Sequence, residues 1–124
     1  MKSVELLKVA REHLENCYCP YSGVQVVAVL FGPKGPVVGV NVENASYGLT
    51  VCAERSAVFS AVSRGLRDFE GIFIYSPQVM PYPCGACRQV LSEFFPEDFQ
   101  VVVTNGKEEE KFTLGELLPF NFKL

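Results

Sequence analysis

Three cysteines and one glutamate have the residue types and spacing that metal-assisted chemistry needs. Cys84 and Cys87, in the segment PCGAC, have two residues between them at the expected start of a helix, a spacing that lets two thiolates bind one metal ion. Cys52 opens a second expected helix. If both helix N-termini point to one place, the three sulfurs form one face of a tetrahedron. One coordination position then stays open, as in catalytic rather than structural zinc sites.

Glu54 follows Cys52 by two positions. In a regular α-helix this spacing places the two side chains about 200° apart around the helix axis, so Glu54 is a poor fourth ligand. An irregular first turn would still bring both side chains toward the metal. A carboxyl group there can accept a proton and return it, so no histidine is needed. The single histidine, His13, is interpreted as a structural residue of the first helix.

Seven or eight short elements must position these residues. Val4, Leu7 and Leu14 recur at helical spacing, and Ser3 is the predicted N-cap of that first helix. Runs rich in valine, separated by glycine and proline turns, predict strands. The predicted elements are a helix from Ser3 that ends before Cys19, strands at 24–31 and 36–42 around a turn at 32–35, a helix at about 51–64, a strand at 71–76, a helix from 84 to before Pro96, a strand at 99–105 and a short final strand.

The order of these elements predicts an α/β fold. The first two strands form a hairpin and must be antiparallel, whereas strands joined through helices favour parallel neighbours. We therefore expect one domain, residues 1–124, with a mixed five-stranded sheet and helices on both faces.

Composition excludes several classes of function. The 124 residues are 48% hydrophobic and 20% charged, which is typical of a folded globular protein. A net charge of −3 argues against nucleic-acid or acidic-membrane binding, since both need a concentrated positive surface. The first residues resemble neither a signal peptide nor a membrane span, so a cytoplasmic location is predicted. The five cysteines then favour metal ligands, nucleophiles or buried small residues over disulfides. Cys17 and Cys19 are predicted to pack in the core.

The segments CAE and PCGAC resemble the two zinc motifs of the cytidine deaminase superfamily. The chain is similar in particular to its small oligomeric members. Matching segments follow in order along nearly the whole chain: CPYSGVQV, NVENASYG, CAERSA, PCGACRQVL and ELLPFNF. The resemblance implies the three-layer α/β/α fold of that family.

The resemblance also implies roles for individual residues. Glu54 would be the general acid and base, beside one Zn²⁺ per chain. Three thiolates and Zn²⁺ sum to −1, and Arg55 could donate a hydrogen bond to a ligand sulfur and offset that charge. The remaining implied sets are the zinc ligands Cys52, Cys84 and Cys87, the substrate-binding residues Asn41, Val42, Glu43 and Ala53, with Asn41 and Glu43 on the ribose, and residues reaching a neighbouring subunit's site, Ala45, Tyr47 and Phe122.

Hydrolytic deamination of cytidine and deoxycytidine, with release of ammonia, is the function that the resemblance implies. A homotetramer is implied as well, and the apolar tail LLPFNF offers surface for it. Two alternatives remain: a blasticidin S deaminase, which would use the same zinc motifs, and a redox or structural zinc-binding module that does not need Glu54. The family usually has Phe where Val24 stands and Gly where Val27 stands, so the aromatic wall against the base would be absent or supplied by Phe120 or Phe122.

Overall fold

A computed structural model describes residues 1–124 and places five strands in one sheet, in the order β2-β1-β3-β4-β5. The elements agree with the predicted order, and a short fourth helix follows the last strand. Their bounds are α1 Ser3–Glu12, β1 Val27–Phe31, β2 Val37–Val40, α2 Ala53–Ser63, β3 Gly71–Tyr75, α3 Gly85–Phe94, β4 Gln100–Thr104, β5 Glu109–Thr113 and α4 Leu114–Leu117, with single turns of 3₁₀ helix at Leu14–Asn16 and Tyr47–Leu49.

The sheet is mixed, as predicted. Strands β1 and β2 form the antiparallel hairpin, and β3 and β4, which are joined through α3, are parallel. Strand β3 pairs with β1 and not with β2, so the connection through α2 crosses over β1 and the β1–β3 pair is antiparallel. Strand β5 closes the other edge, antiparallel to β4.

Helices cover both faces of the sheet and make three layers. On one face α1 packs through Leu6 and Ala10 against alternate residues of the central strands, including Val29 and Phe73. On the other face α2 and α3 pack against the intervening residues, among them Leu30 and Ile74. Because side chains alternate across a strand, the same strands serve two separate cores. None of the helices is both long enough and apolar enough to cross a membrane.

Helix α2 lies in backbone contact with the sheet at Gly39. A Cβ atom at Gly39 would lie 2.2 Å from the backbone nitrogen of Ala57 and 2.6 Å from the carbonyl oxygen of Ala53. The buried alanines on this face of α2, four residues apart, give the helix a surface small enough for that approach. The close approach fixes the height of the α2 N-terminus above the sheet.

Among the predicted boundaries that differ from the structure, three have clear local reasons. Ser3 is the first residue of α1 and not its cap, because its hydroxyl donates instead to Glu109 at 3.2 Å. Helix α2 begins two residues after Val51, whose backbone pairs with that of Val42. Strand β1 begins at Val27, since the preceding residues bond to the side chain of Asn41.

Candidate zinc centre and substrate cavity

The sulfurs of Cys52, Cys84 and Cys87 all lie within 4.8 Å of one another. The Sγ atoms of Cys52 and Cys84 are 4.0 Å apart, and those of Cys84 and Cys87 are 3.3 Å apart. Two sulfurs on one tetrahedral zinc ion, each at ~2.3 Å from it, lie roughly 3.8 Å from each other. Both the distances and the donor atoms therefore fit one Zn²⁺ ion.

Two helix N-termini bring these sulfurs together. Cys52 is the N-cap of α2 and Cys84 is the N-cap of α3, each with extended backbone, and Cys87 lies in the first turn of α3. The backbone N–H of Cys87 donates to Cys84 Sγ at 3.4 Å. The positive ends of two helices favour thiolates, which are the form that binds metal.

The pKa values of two of these thiols shift in opposite directions. A hydrogen bond from the Cys87 thiol, followed by contacts with Arg55, lowers the pKa of Cys52 to about 5. The same hydrogen bond and burial raise the pKa of Cys87. Cys52 is thus the more acidic of these two thiols.

Arg55 contacts the cysteine cluster through the sulfur of Cys52. Its Nη2 atom donates to Cys52 Sγ at 3.5 Å and to the carbonyl oxygen of Thr50 at 3.3 Å. Its Nε atom is buried without a partner. The guanidinium charge therefore lies against a ligand sulfur, the contact suggested by the sequence.

Glu54 lines a cavity beside the cysteine cluster and is buried, with only 5% of its surface exposed. Burial, with a further contribution from the charge of Cys52, raises the pKa of Glu54 to about 7. Both Glu54 and Cys52 line one cavity of about 310 Å³. The regular-helix angle of about 200° does not apply between them, because Cys52 has extended backbone and lies before the helix.

Apolar side chains form most of the cavity wall, and polar side chains complete it. Ser22, Thr50 and Tyr82 line it without having been predicted, although the segment CPYSGVQV contains Ser22. The apolar lining comprises Val24, Val26, Val51, Ala53, Val79, Met80 and Pro81.

Asn41 and Glu43 both line the cavity, but their side chains already have partners. The Asn41 amide accepts from the N–H of Val26 at 3.1 Å and donates to the carbonyl of Val24 at 2.8 Å. Glu43 accepts from the backbone N–H and the hydroxyl of Ser22, and this hydroxyl lowers the Glu43 pKa. Asn41 thus shapes the wall, and Glu43 presents a carboxylate to the cavity.

The other predicted residues lie in three different settings. Ala53 lines the cavity, whereas Val42 pairs its backbone with Val51 and is not among the lining residues. Ala45, Tyr47 and Phe122 are on the surface, with Tyr47 88% exposed and Phe122 66% exposed. Their predicted contact with a neighbouring subunit needs a second copy of the chain.

Three cysteine sulfurs from two helix N-termini, beside a buried carboxyl in a three-layer α/β/α fold, are typical of a zinc-binding protein. A family model described as the cytidine and deoxycytidylate deaminase zinc-binding region matches residues 1–103. The chain belongs to that family.

Relatives and solved structures agree with this assignment. The chain is 47% identical over 120 residues to the cytidine deaminase of Halalkalibacterium halodurans, an alignment that covers 94% of this chain and 91% of that one. It is 34% identical over 131 residues to the blasticidin-S deaminase of Bacillus cereus, covering 98% and 92% of the two chains. The crystal structure of cytidine deaminase from Burkholderia pseudomallei has a TM-score of 0.91 at 41% identity, covering 98% of this chain and 100% of that one. The predicted fold class and family resemblance are confirmed.

Proposed function

We propose that this chain hydrolyses cytidine and deoxycytidine to uridine and deoxyuridine, with release of ammonia. The observation that carries the proposal is a cluster of three cysteine sulfurs, two of which line a cavity of about 310 Å³ together with the buried carboxyl of Glu54. Cys52, Cys84 and Cys87 would hold the Zn²⁺ ion, which would supply Lewis-acid chemistry toward a water nucleophile near neutral pH.

Glu54 moves the protons of the reaction. A base with a pKa near 7 can both accept and return a proton at neutral pH. Its carboxylate accepts a proton from the attacking water and delivers it to N3 of cytosine. It then carries a second proton to the departing amino group, so that water and cytidine become uridine and ammonia.

The walls of the cavity favour a neutral nucleoside over a nucleotide. None of its lining residues is Lys, Arg or His, and the Glu43 carboxylate, with its lowered pKa, lies among them. A phosphate group would meet negative charge without a compensating cation. The remaining acceptor capacity of Glu43 suits a sugar hydroxyl donor.

Arg55 offsets part of the negative charge of the zinc site. Three thiolates with Zn²⁺ carry a formal charge of −1, and the guanidinium donates to one of those sulfurs. Electron density withdrawn from Cys52 leaves the metal a stronger Lewis acid.

The test measures zinc per chain together with turnover in one preparation. Loss of cytidine absorbance in the ultraviolet and release of ammonia should occur in equal amounts, with one zinc per chain. Blasticidin S, tested in parallel, addresses the alternative that the Bacillus cereus relative suggests. Zinc binding without turnover of either substrate would favour the structural module, and turnover of blasticidin S alone would exclude the nucleoside assignment.

We also propose a homotetramer in which Ala45, Tyr47 and Phe122 reach a neighbour's site. Large apolar side chains exposed near the cavity support it, since Tyr47 and Leu49 are 88% and 65% exposed. Truncation after Leu118 should weaken assembly and raise the apparent KM for cytidine. A light-scattering mass of 13.7 kDa in fully active protein would exclude the tetramer.

The cytoplasmic location stays part of this proposal. All five cysteines are free, and zinc ligation by thiolates requires that they remain reduced. A reducing compartment such as the cytoplasm meets that requirement.

A further inference from the structure

Arg88 holds both of the carbonyl groups that flank the metal ligand Cys84. Its side-chain Nε atom donates to the carbonyl oxygen of Pro83 at 2.8 Å. Its backbone N–H donates to the carbonyl oxygen of Cys84 at 3.0 Å. Each peptide unit is planar, so fixing the two carbonyls fixes the planes of the peptide units on either side of the Cys84 Cα atom. The direction of the Cys84 side chain follows from those planes.

Cys84 needs such support more than Cys87 does. Cys87 is buried in the first turn of α3, whereas Cys84 is exposed. The segment before it, residues 76–83, contains neither helix nor strand. The regular backbone bonding of α3 begins at the carbonyl of Cys84, and the bond from the Arg88 side chain extends it one residue back to the carbonyl of Pro83.

A third hydrogen bond of Arg88 ties this turn to the end of the chain. Its Nη1 atom donates to the carbonyl oxygen of Leu117 at 2.9 Å, at the last residue of α4. Two nitrogens of one planar guanidinium thus hold two carbonyls that are far apart in sequence. A lysine ammonium is a single point donor on a flexible stem and lacks this fork.

We propose that Arg88 is a positioning residue for Cys84 and that it strengthens zinc binding without contacting the metal, the substrate or a ligand sulfur. This inference rests on the zinc ligands of the proposed function. Partners that orient metal ligands typically change metal affinity by about 10- to 100-fold when they are removed. The Arg88 side chain acts through the peptide plane beside a ligand, so we expect about a tenfold effect.

The experiment measures zinc affinity by competition with a chromogenic chelator, in the absence of substrate, on the full-length reduced protein. Arg88→Met keeps most of the aliphatic stem and removes every side-chain donor, and it should weaken zinc binding about tenfold. Arg88→Lys keeps the charge but cannot hold both carbonyls, so its zinc affinity should lie between that of the wild-type protein and that of Arg88→Met. If Arg88→Met does not fold, Arg88→Lys alone still tests the inference.

Two control variants on α3 separate positioning from general stability. Gln89→Ala removes the bond from the neighbouring side chain to the carbonyl of Phe122 and should leave zinc affinity unchanged. Leu91→Val disturbs the buried face of the same helix and should lower the urea midpoint without weakening zinc binding.

Wild-type zinc affinity in both Arg88 variants would overturn the inference. Equal zinc loss in Leu91→Val and Arg88→Met would also overturn it, because zinc binding would then follow helix stability alone. A wild-type protein that binds no zinc would overturn the ligand set and this inference together. Failure of the proposed catalysis is a separate result, since turnover does not enter the affinity measurement.

Discussion

Replacing Glu54 by glutamine should have two effects. The metal-free protein should become more stable, and the zinc-loaded protein should lose most of its activity. The Glu54 carboxyl is 5% exposed, and burial raises its pKa from 4.5 to about 7. Because the folded pKa lies above the unfolded one, folding favours the protonated carboxyl. The folded state is therefore penalised as pH rises from about 4.5 to 7, and the full penalty is present above pH 7.

The size of the penalty follows from the pKa difference. A rise from 4.5 to about 7 corresponds to about 3 kcal/mol. Glutamine has nearly the same shape and stays neutral, so Glu54→Gln should raise the free energy of unfolding by about 3 kcal/mol at pH 8. At pH 5 the carboxyl is mostly protonated when folded, and the gain should fall below about 1 kcal/mol.

Urea unfolding of the reduced protein with a metal chelator, at pH 5 and pH 8, measures this difference. Glu93→Gln is the matched control, because Glu93 is an exposed carboxyl on α3. Its stability should equal that of wild type at both pH values. A Glu54→Gln gain that does not change with pH would refute the burial argument.

The same variant, loaded with zinc, tests the catalytic role. Removal of a general acid and base typically lowers the rate by about 10²- to 10⁴-fold. We expect a loss of kcat in that range for cytidine, with one zinc per chain retained and with Glu93→Gln fully active. Near-normal turnover by Glu54→Gln would exclude Glu54 as the proton carrier.

Three further substitutions test the elements around the site. Gly39→Ala places a Cβ atom 2.2 Å from the backbone of Ala57, so it should cost about 1–3 kcal/mol in urea unfolding, and unchanged stability would contradict the close packing of α2. The Gln78 side-chain amide accepts from the backbone N–H of Gln25 at 3.0 Å and donates to the Gln25 side-chain oxygen at 2.9 Å, next to the cavity-lining residues Val24, Val26 and Val79, so Gln78→Ala should raise KM several-fold, and an unchanged KM would make this bridge incidental. Arg55→Gln should lower kcat about tenfold with the fold retained, as circular dichroism would show, whereas unchanged kcat would make its sulfur contact incidental.

Local patterns in the sequence determined much of this protein. The two-residue gap between Cys84 and Cys87 already places both sulfurs on one turn, and their Sγ atoms are 3.3 Å apart. The glycine and proline residues between two valine-rich runs predicted the hairpin of β1 and β2. These features need only neighbouring residues, since turns and helix periodicity are set within a few positions along the chain.

The tertiary structure decided what depends on residues distant in sequence. Cys52 and Cys84 are 32 positions apart, and their 4.0 Å separation exists because α2 and α3 pack on the same face of the sheet. The pairing of β3 with β1 could not be read from the order of elements, since a helical crossover fixes strand direction but not the neighbouring strand. Nor could the sequence show that backbone groups bond to the Asn41 amide or that the pKa of Glu54 is raised. Desolvation and hydrogen bonding depend on everything that surrounds a group, and only the folded chain supplies those surroundings.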